Sequence, residues 1–334
     1  MIKTINHHVE PNGHCATICQ HGGGILVAYY NGPECTDHQS VHVEYWENDK
    51  LTGHYQFQEK TGNCVLIPSK DHATLIYSLF EDYGPNGERP ITAVDRWKYC
   101  SNWKTKVRYS NNQIHHTQPG RLNHTTNWLV RCNPIKIKDY WLLPMYDEAW
   151  RYGIILKSNN GWSWQPIGTI GAEDLNIELI QPTLWHDGEH LHSLSRDMTE
   201  VRMAWYSRSE DVGETWSKPI HTPITNDNNS LIVINDNTRS PLIIWNHGPK
   251  RRKLVLGRLD QSSLTAKPYL ELNTTPHASY PNYCFDANNN LQIVHTEFGV
   301  IKRHIIDQNT LLEIEQKAKD TEKTILLSDL IKND

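Results

Sequence analysis

Six stretches of this chain repeat one pattern: an apolar strand, a polar turn, a second apolar strand and a polar or charged ending. HCATICQHGGGILVAYYNG near the start and YPNYCFDANNNLQIVHTEFG near the end are two of them. Anchoring the second strands at Ile25, Leu75, Leu142, Leu191, Leu242 and Leu291 spaces the copies by 50, 67, 49, 51 and 49 residues. Such a period suits one four-stranded sheet per copy, arranged radially. The expected fold class is therefore all-β: a six-bladed β-propeller of four-stranded antiparallel blades, with residues 1–334 as a single domain. The first and last blades should be adjacent, because an open ring would leave strand edges exposed. The long third spacing predicts an insertion around residues 89–120. Residues 310–334 carry helix formers and read as a C-terminal extension that closes the last blade or packs on the propeller's edge.

A second signal is SEDVGETW, Ser209 to Trp216. Ser209 and Asp211 offer oxygens that close a tight turn. Gly213 supplies a backbone conformation strained for other residues, and Trp216 can pack beneath the turn. A blurred copy runs from Ser158 to Trp164. These turns follow third strands, so they belong to the face where the inner hairpins turn. The opposite face collects the starts of first strands and the ends of second strands. It receives His14, Asn63, Asn133, Gln181, Ser230 and Tyr280 from the starts. Glu34, Glu148, Arg196, Asp197, Asn246 and Glu297 are among those it receives from the ends. A ring of polar residues at one mouth of the channel is the candidate site, and its bland counterpart is a solvated rim.

Charge and composition narrow the function. A net charge of -5 argues against nucleic acid as a partner, and Lys250-Arg251-Arg252-Lys253 reads as a solvated turn. No apolar run approaches a membrane span, and the start lacks the apolar stretch of a signal peptide. Seven scattered cysteines without such a signal suggest reduced thiols and a cytoplasmic location. Their spacing fits no metal site, and no cofactor is expected. The 12 Trp and 15 Tyr suit stacking on sugar rings as well as strand packing, and a propeller core accounts for most of them.

Ser-x-Asp-x-Gly-x-Thr-Trp is the Asp-box, or bacterial neuraminidase repeat. With six blades, the chain resembles the sialidase (neuraminidase) superfamily. The likeness is best at His14-x-Ala16-Thr17, Gln181-Pro182-Thr183, Ser279-Tyr280-Pro281 and Ile301-Lys302. The resemblance implies a Tyr nucleophile with a Glu partner, an acid/base carboxylate and three arginines for a substrate carboxylate. Tyr280 stands where the family puts its tyrosine. Glu297, on the paired strand, is its expected neighbour, and Glu148 is an alternative base. Asp197 or Glu34 would be the acid. The anchors would be Arg196 with Lys302 or Arg303, and Arg89, Arg96 and Arg151 are further arginines within reach of the mouth. Gln181, Asn133 and Asn246 complete the substrate-binding set. The chain departs from the pattern at Gly13-His14-Cys15, where the family opens its first blade with an arginine motif. His14 there suggests acid/base chemistry.

Three readings follow. One is an exo-acting glycoside hydrolase on a terminal acidic sugar. Another is a polysaccharide lyase that uses His14 and Tyr280 beside a uronate carboxylate. The third is a glycan-binding propeller without turnover.

Overall fold

The computed structural model describes residues 2–7, 12–34, 36–83, 94–122, 127–235 and 240–330. They form a six-bladed β-propeller of small antiparallel sheets. Blade one takes strands His14–His21, Gly24–Asn31, Ser40–Glu47 and Lys50–Glu59, in that order outward from the channel. The sequence explains the gradient. Gly24–Asn31 (GILVAYYN) is buried along its whole length because neighbouring blades cover both faces of its sheet. Lys50–Glu59 (KLTGHYQFQE) lies at the rim and is largely exposed.

The ring closes in a way the repeat does not reveal. Ile2–His7 pairs with Val300–Ile306 as the outer strand of the sixth blade, from Ile2 opposite Ile306 to His7 opposite Ile301. The amino-terminal segment therefore completes the last blade, rather than the carboxyl-terminal one. Its side chains also reach blade one. His7 Nδ1 lies 2.5 Å from Glu44 Oε2, and Lys3 Nζ lies 2.6 Å from Asp49 Oδ2.

The carboxyl-terminal segment packs on the edge of the fifth blade. Helix Gln308–Thr321 is capped by Asp307, whose carboxylate accepts bonds from the Thr310 amide and hydroxyl. Leu311, Ile314 and Ala318 are buried in one cluster with Tyr269 and Leu270. Ile325–Leu326 then pairs in parallel with Leu270–Glu271, adding a fifth strand.

Residues 84–93, which take in the start of the insertion expected around 89–120, lie outside the described residues. The rest is largely blade structure: a 3-10 turn at Val94–Tyr99, then the third strand of blade two, Cys100–Ser110, and strand Gln113–His116.

The Ser209–Trp216 turn sits at the inner-hairpin end, where Leu191 would touch a Cβ on Gly213. Asp211 organises it. Its carboxylate accepts from Ser209 Oγ at 2.8 Å, Thr215 N at 2.8 Å and Thr215 Oγ1 at 2.6 Å. These bonds hold the carboxyl below its ordinary pKa. Gly213 has φ 97°, a region that favours glycine. Asp211→Ala should cost about 1–3 kcal/mol in denaturant unfolding, the worth of two or three such bonds. Turnover should be unchanged, and its loss in a folded variant would contradict this assignment of faces.

Candidate active site

Four inner strands share one irregularity at the mouth. Their register with the second strand steps by one residue between His14 and Thr17, Gly62 and Cys64, Ile180 and Thr183, and Ser279 and Asn282. Such bulges leave a residue unpaired and re-aim its side chain. Cys15, Gln181 and Tyr280 occupy equivalent bulged positions, with φ of 53°, 53° and 54°. Pro182 and Pro281 follow two of them, where the broken ladder needs no N–H.

A cavity of about 450 Å³ opens here. Alongside Asn63, six further residues of the expected ring line it: His14, Glu34, Glu148, Gln181, Arg196 and Tyr280. They come from blades one, three, four and six. Arg196 Nη1 donates to Gln181 Oε1 at 3.2 Å, and its Nε donates to Asn228 Oδ1 at 2.9 Å. Tyr146 Oη accepts from Asn63 Nδ2 at 3.1 Å and Gln181 Nε2 at 3.5 Å. The His14 ring stands edge-on to Tyr280, with centroids 4.6 Å apart, and to Tyr30 at 5.5 Å. Burial, with Arg131 and Arg251 nearby, lowers the His14 pKa to about 3. The imidazole is therefore neutral at physiological pH, and burial together with the two guanidiniums makes it a weak base there. Burial acts oppositely on Glu148: it raises the carboxyl from 4.5 to about 7, despite Arg196, Arg151 and Lys98.

The other expected residues lie elsewhere, for identifiable reasons. Glu297 does not face Tyr280, because the bulge shifts the register and Ala278 is its strand partner. Its Oε1 accepts from Thr274 Oγ1 at 3.1 Å and Thr275 N at 2.9 Å, and Lys302 Nζ lies 3.0 Å away. Glu297 and Lys302 are thus spent on each other and on a loop. Asp197 is fully buried as a loop clamp, accepting from Thr199 N at 3.0 Å, Arg202 N at 2.7 Å and Trp205 Nε1 at 2.9 Å. Asn133 and Asn246 bond across blades to the carbonyls of Tyr283 and Ala278. Arg303 belongs to the opposite end, 5.1 Å from the Trp46 ring centroid and 3.4 Å from Asp49. Arg96 pairs with Asp37 and Arg151 with Glu178. Arg89 lies outside the described residues.

Two arginines that the sequence did not single out as anchors take their place. Arg251, from the basic run, lines the cavity, bonds to the Asn228 carbonyl and lies 5.4 Å from the Tyr280 ring centroid. Arg131 is buried beneath, 5.5 Å from the same centroid, donating to the carbonyls of Ala16 at 3.3 Å and Pro281 at 3.1 Å. A signal for Arg251 existed. It sits in the loop between second and third strands, the position that supplies Glu148 in blade three. Among the described residues, no group of three or more His, Cys, Asp or Glu is arranged to hold a metal. No described helix is long and apolar enough to cross a membrane.

Comparison with known proteins places the fold. The profile of the BNR repeat-like domain family matches residues 36–293. No curated protein matches the chain. Among solved structures, Trypanosoma rangeli sialidase in complex with the inhibitor DANA superposes with a TM-score of 0.64 at 13% identity. That match covers 93% of this chain and 57% of the sialidase, so the chain corresponds to little more than half of that enzyme. A Hadza microbial sialidase gives 0.65 at 10% identity, covering 89% and 66%. A protein of unknown function from Dyadobacter fermentans gives 0.68 at 11% identity, covering 92% and 99%. At such identities the likeness shows the fold alone.

Proposed function

We propose that this chain, which belongs to the BNR repeat-like domain family, is a glycoside hydrolase that removes a terminal acidic sugar from a glycan. The observation that carries the reading is the company around Tyr280: two guanidiniums, Arg251 and Arg131, and a neutral imidazole, with Arg196 and Glu148 lining the same cavity. Arg196 and Arg251 would hold the sugar's carboxylate by charge-assisted bonds. The trypanosomal structure, whose ligand is a sialidase inhibitor, supports an acidic sugar as the first to test.

In this mechanism Tyr280 Oη attacks the anomeric carbon and its proton passes to His14, whose basicity rises when the substrate carboxylate offsets the charge of Arg251 beside it. Glu148, protonated near neutral pH, gives its proton to the departing glycosidic oxygen. The resulting carboxylate then takes a proton from water as that water cleaves the glycosyl–tyrosine bond, and His14 returns its proton to the departing Tyr280 oxygen. His14 thus fills the part the family gives to glutamate, since Glu297 is turned away.

That same pairing favours a second reading. A lyase would use Tyr280 and His14 to remove the proton beside a uronate carboxylate and expel the 4-linked sugar. One assay separates the two: sialosides and uronate glycans, scored for new reducing ends and for ultraviolet-absorbing unsaturated products. Reducing ends alone support the hydrolase, and unsaturated ends support the lyase. Neither product would leave a binding module. Arg251→Ala should raise KM for the acidic substrate by about 10- to 100-fold, the loss of one charge-assisted bond. A KM unchanged in that variant would remove Arg251 from the anchor.

A further inference from the structure

We infer that Arg131, which is not among the residues lining the mouth cavity, is the positioning residue that holds His14 and Tyr280 against each other for proton transfer. The inference rests on the reading of those two as the reacting pair, in the hydrolase or the lyase. Two bulges carry the argument. Ala16 and Pro281 fall in the gaps of their ladders, each directly after a bulged residue, Cys15 or Tyr280. Carbonyls at such gaps need donors from outside the ladder. One guanidinium supplies both: Arg131 Nη1 donates to the Ala16 carbonyl at 3.3 Å, and Nη2 to that of Pro281 at 3.1 Å. Arg131 follows strand Trp128–Val130 of blade three, so a planar fork from a third blade sets the separation of bulges on blades one and six. His14 lies one residue before the first bulge, and its ring centroid stands 4.6 Å from that of Tyr280. The φ of 53° at Cys15 and 54° at Tyr280 is costly for residues with side chains, so these turns persist only where the surroundings hold them.

The charge on the fork is uncompensated before the reaction. Arg131 is 1% exposed, and among the described residues its Nε has no hydrogen-bond partner and no carboxylate pairs with it. A buried cation without a counter-ion is expensive. Its guanidinium carbon lies 5.5 Å from the Tyr280 ring centroid. As the Tyr280 proton leaves, negative charge develops beside that cation, so the attraction grows on the way to the transition state. After burial itself, the same cation is the largest influence keeping His14 unprotonated well below neutral pH.

Two variants separate the fork from its charge. Arg131→Lys keeps the charge and loses the fork, and Arg131→Met loses both. The substrate is whichever the unmodified protein turns over, sialyllactose or a uronate oligosaccharide. In Arg131→Lys, kcat should fall about 10- to 100-fold. KM should change less than about threefold, and the acid limb of kcat/KM should stay where it is. In Arg131→Met that limb should move to higher pH, because His14 loses a neighbouring positive charge and binds its proton more tightly. Circular dichroism checks that each variant folds. Should neither fold, the unmodified protein still answers: its acid limb should lie below about pH 5, and a limb near 6.5, the ordinary imidazole value, would overturn the inference. Unchanged kcat in Arg131→Lys, or an unmoved limb in a folded Arg131→Met, would also overturn it while leaving Tyr280 and His14 in place. No turnover of either substrate by the unmodified protein would overturn the enzymatic reading and the part of Arg131 with it.

Discussion

Tyr280→Phe is expected to lower kcat on an acidic glycoside by at least about a thousandfold, equivalent to about 4 kcal/mol of transition-state stabilisation. The variant loses one oxygen. Tyr280 is 8% exposed, and its ring lies against His14, Arg131 and Arg251, contacts that phenylalanine keeps. Melting temperature should therefore change little, and circular dichroism should not change at all. A phenol has an unperturbed pKa of about 10, so attack at neutral pH requires a partner that accepts its proton. His14, whose ring centroid stands 4.6 Å from that of Tyr280, takes this part once the substrate carboxylate offsets the guanidinium charge that weakens it as a base. His14→Ala should then approach the same loss, and the two together should cost little more than either alone, as for groups that act as a unit. Undiminished turnover in Tyr280→Phe would end both enzymatic readings.

The second large effect belongs to Glu148. Its folded-state pKa of about 7 places the acid form within reach of neutral pH. The rate on an oligosaccharide should fall as pH rises through about 7. Glu148→Gln should cost about 10²- to 10⁴-fold and abolish that basic limb. Glycosyl fluoride, whose leaving group needs no proton, should lose far less. Stability provides an independent check. A carboxyl whose pKa is raised on folding binds its proton more tightly in the native state. The native protein is therefore favoured below pH 4.5 and loses that advantage as pH rises from there through about 7. Glutamine does not titrate, so the variant should gain melting temperature relative to the parent above pH 7. A shift that is independent of pH would mean the carboxyl is not held in its acid form.

Not all of the architecture and the mouth could be read along the chain. The six-fold period was legible because each blade must bury the same two inner strands, and burial on both faces writes an unbroken apolar run each time. The face carrying the Ser209–Trp216 turn followed from strand parity alone. Parity also led to His14, Gln181 and Tyr280, since every inner strand starts at the same end.

Contacts that depend on register across distance were not legible. A bulge adds one residue and no periodic signal, yet a one-residue slip turns a side chain to the other face. That slip separates Glu297 from Tyr280. Ring closure by Ile2–His7 joins residues some 300 positions apart, as in the Thr4–His304 contact, and no local pattern marks the partner. Arg251 shares the loop position of Glu148, but the composition of its loop is that of any solvated turn, and Arg131 precedes a strand fragment with no unusual spacing. The chain's local chemistry determined that a propeller forms and which end carries its mouth. Only the closed ring decided which charges meet there, because it brings loops of blades three, four and five against the bulges of blades one and six, where burial shifts their proton affinities.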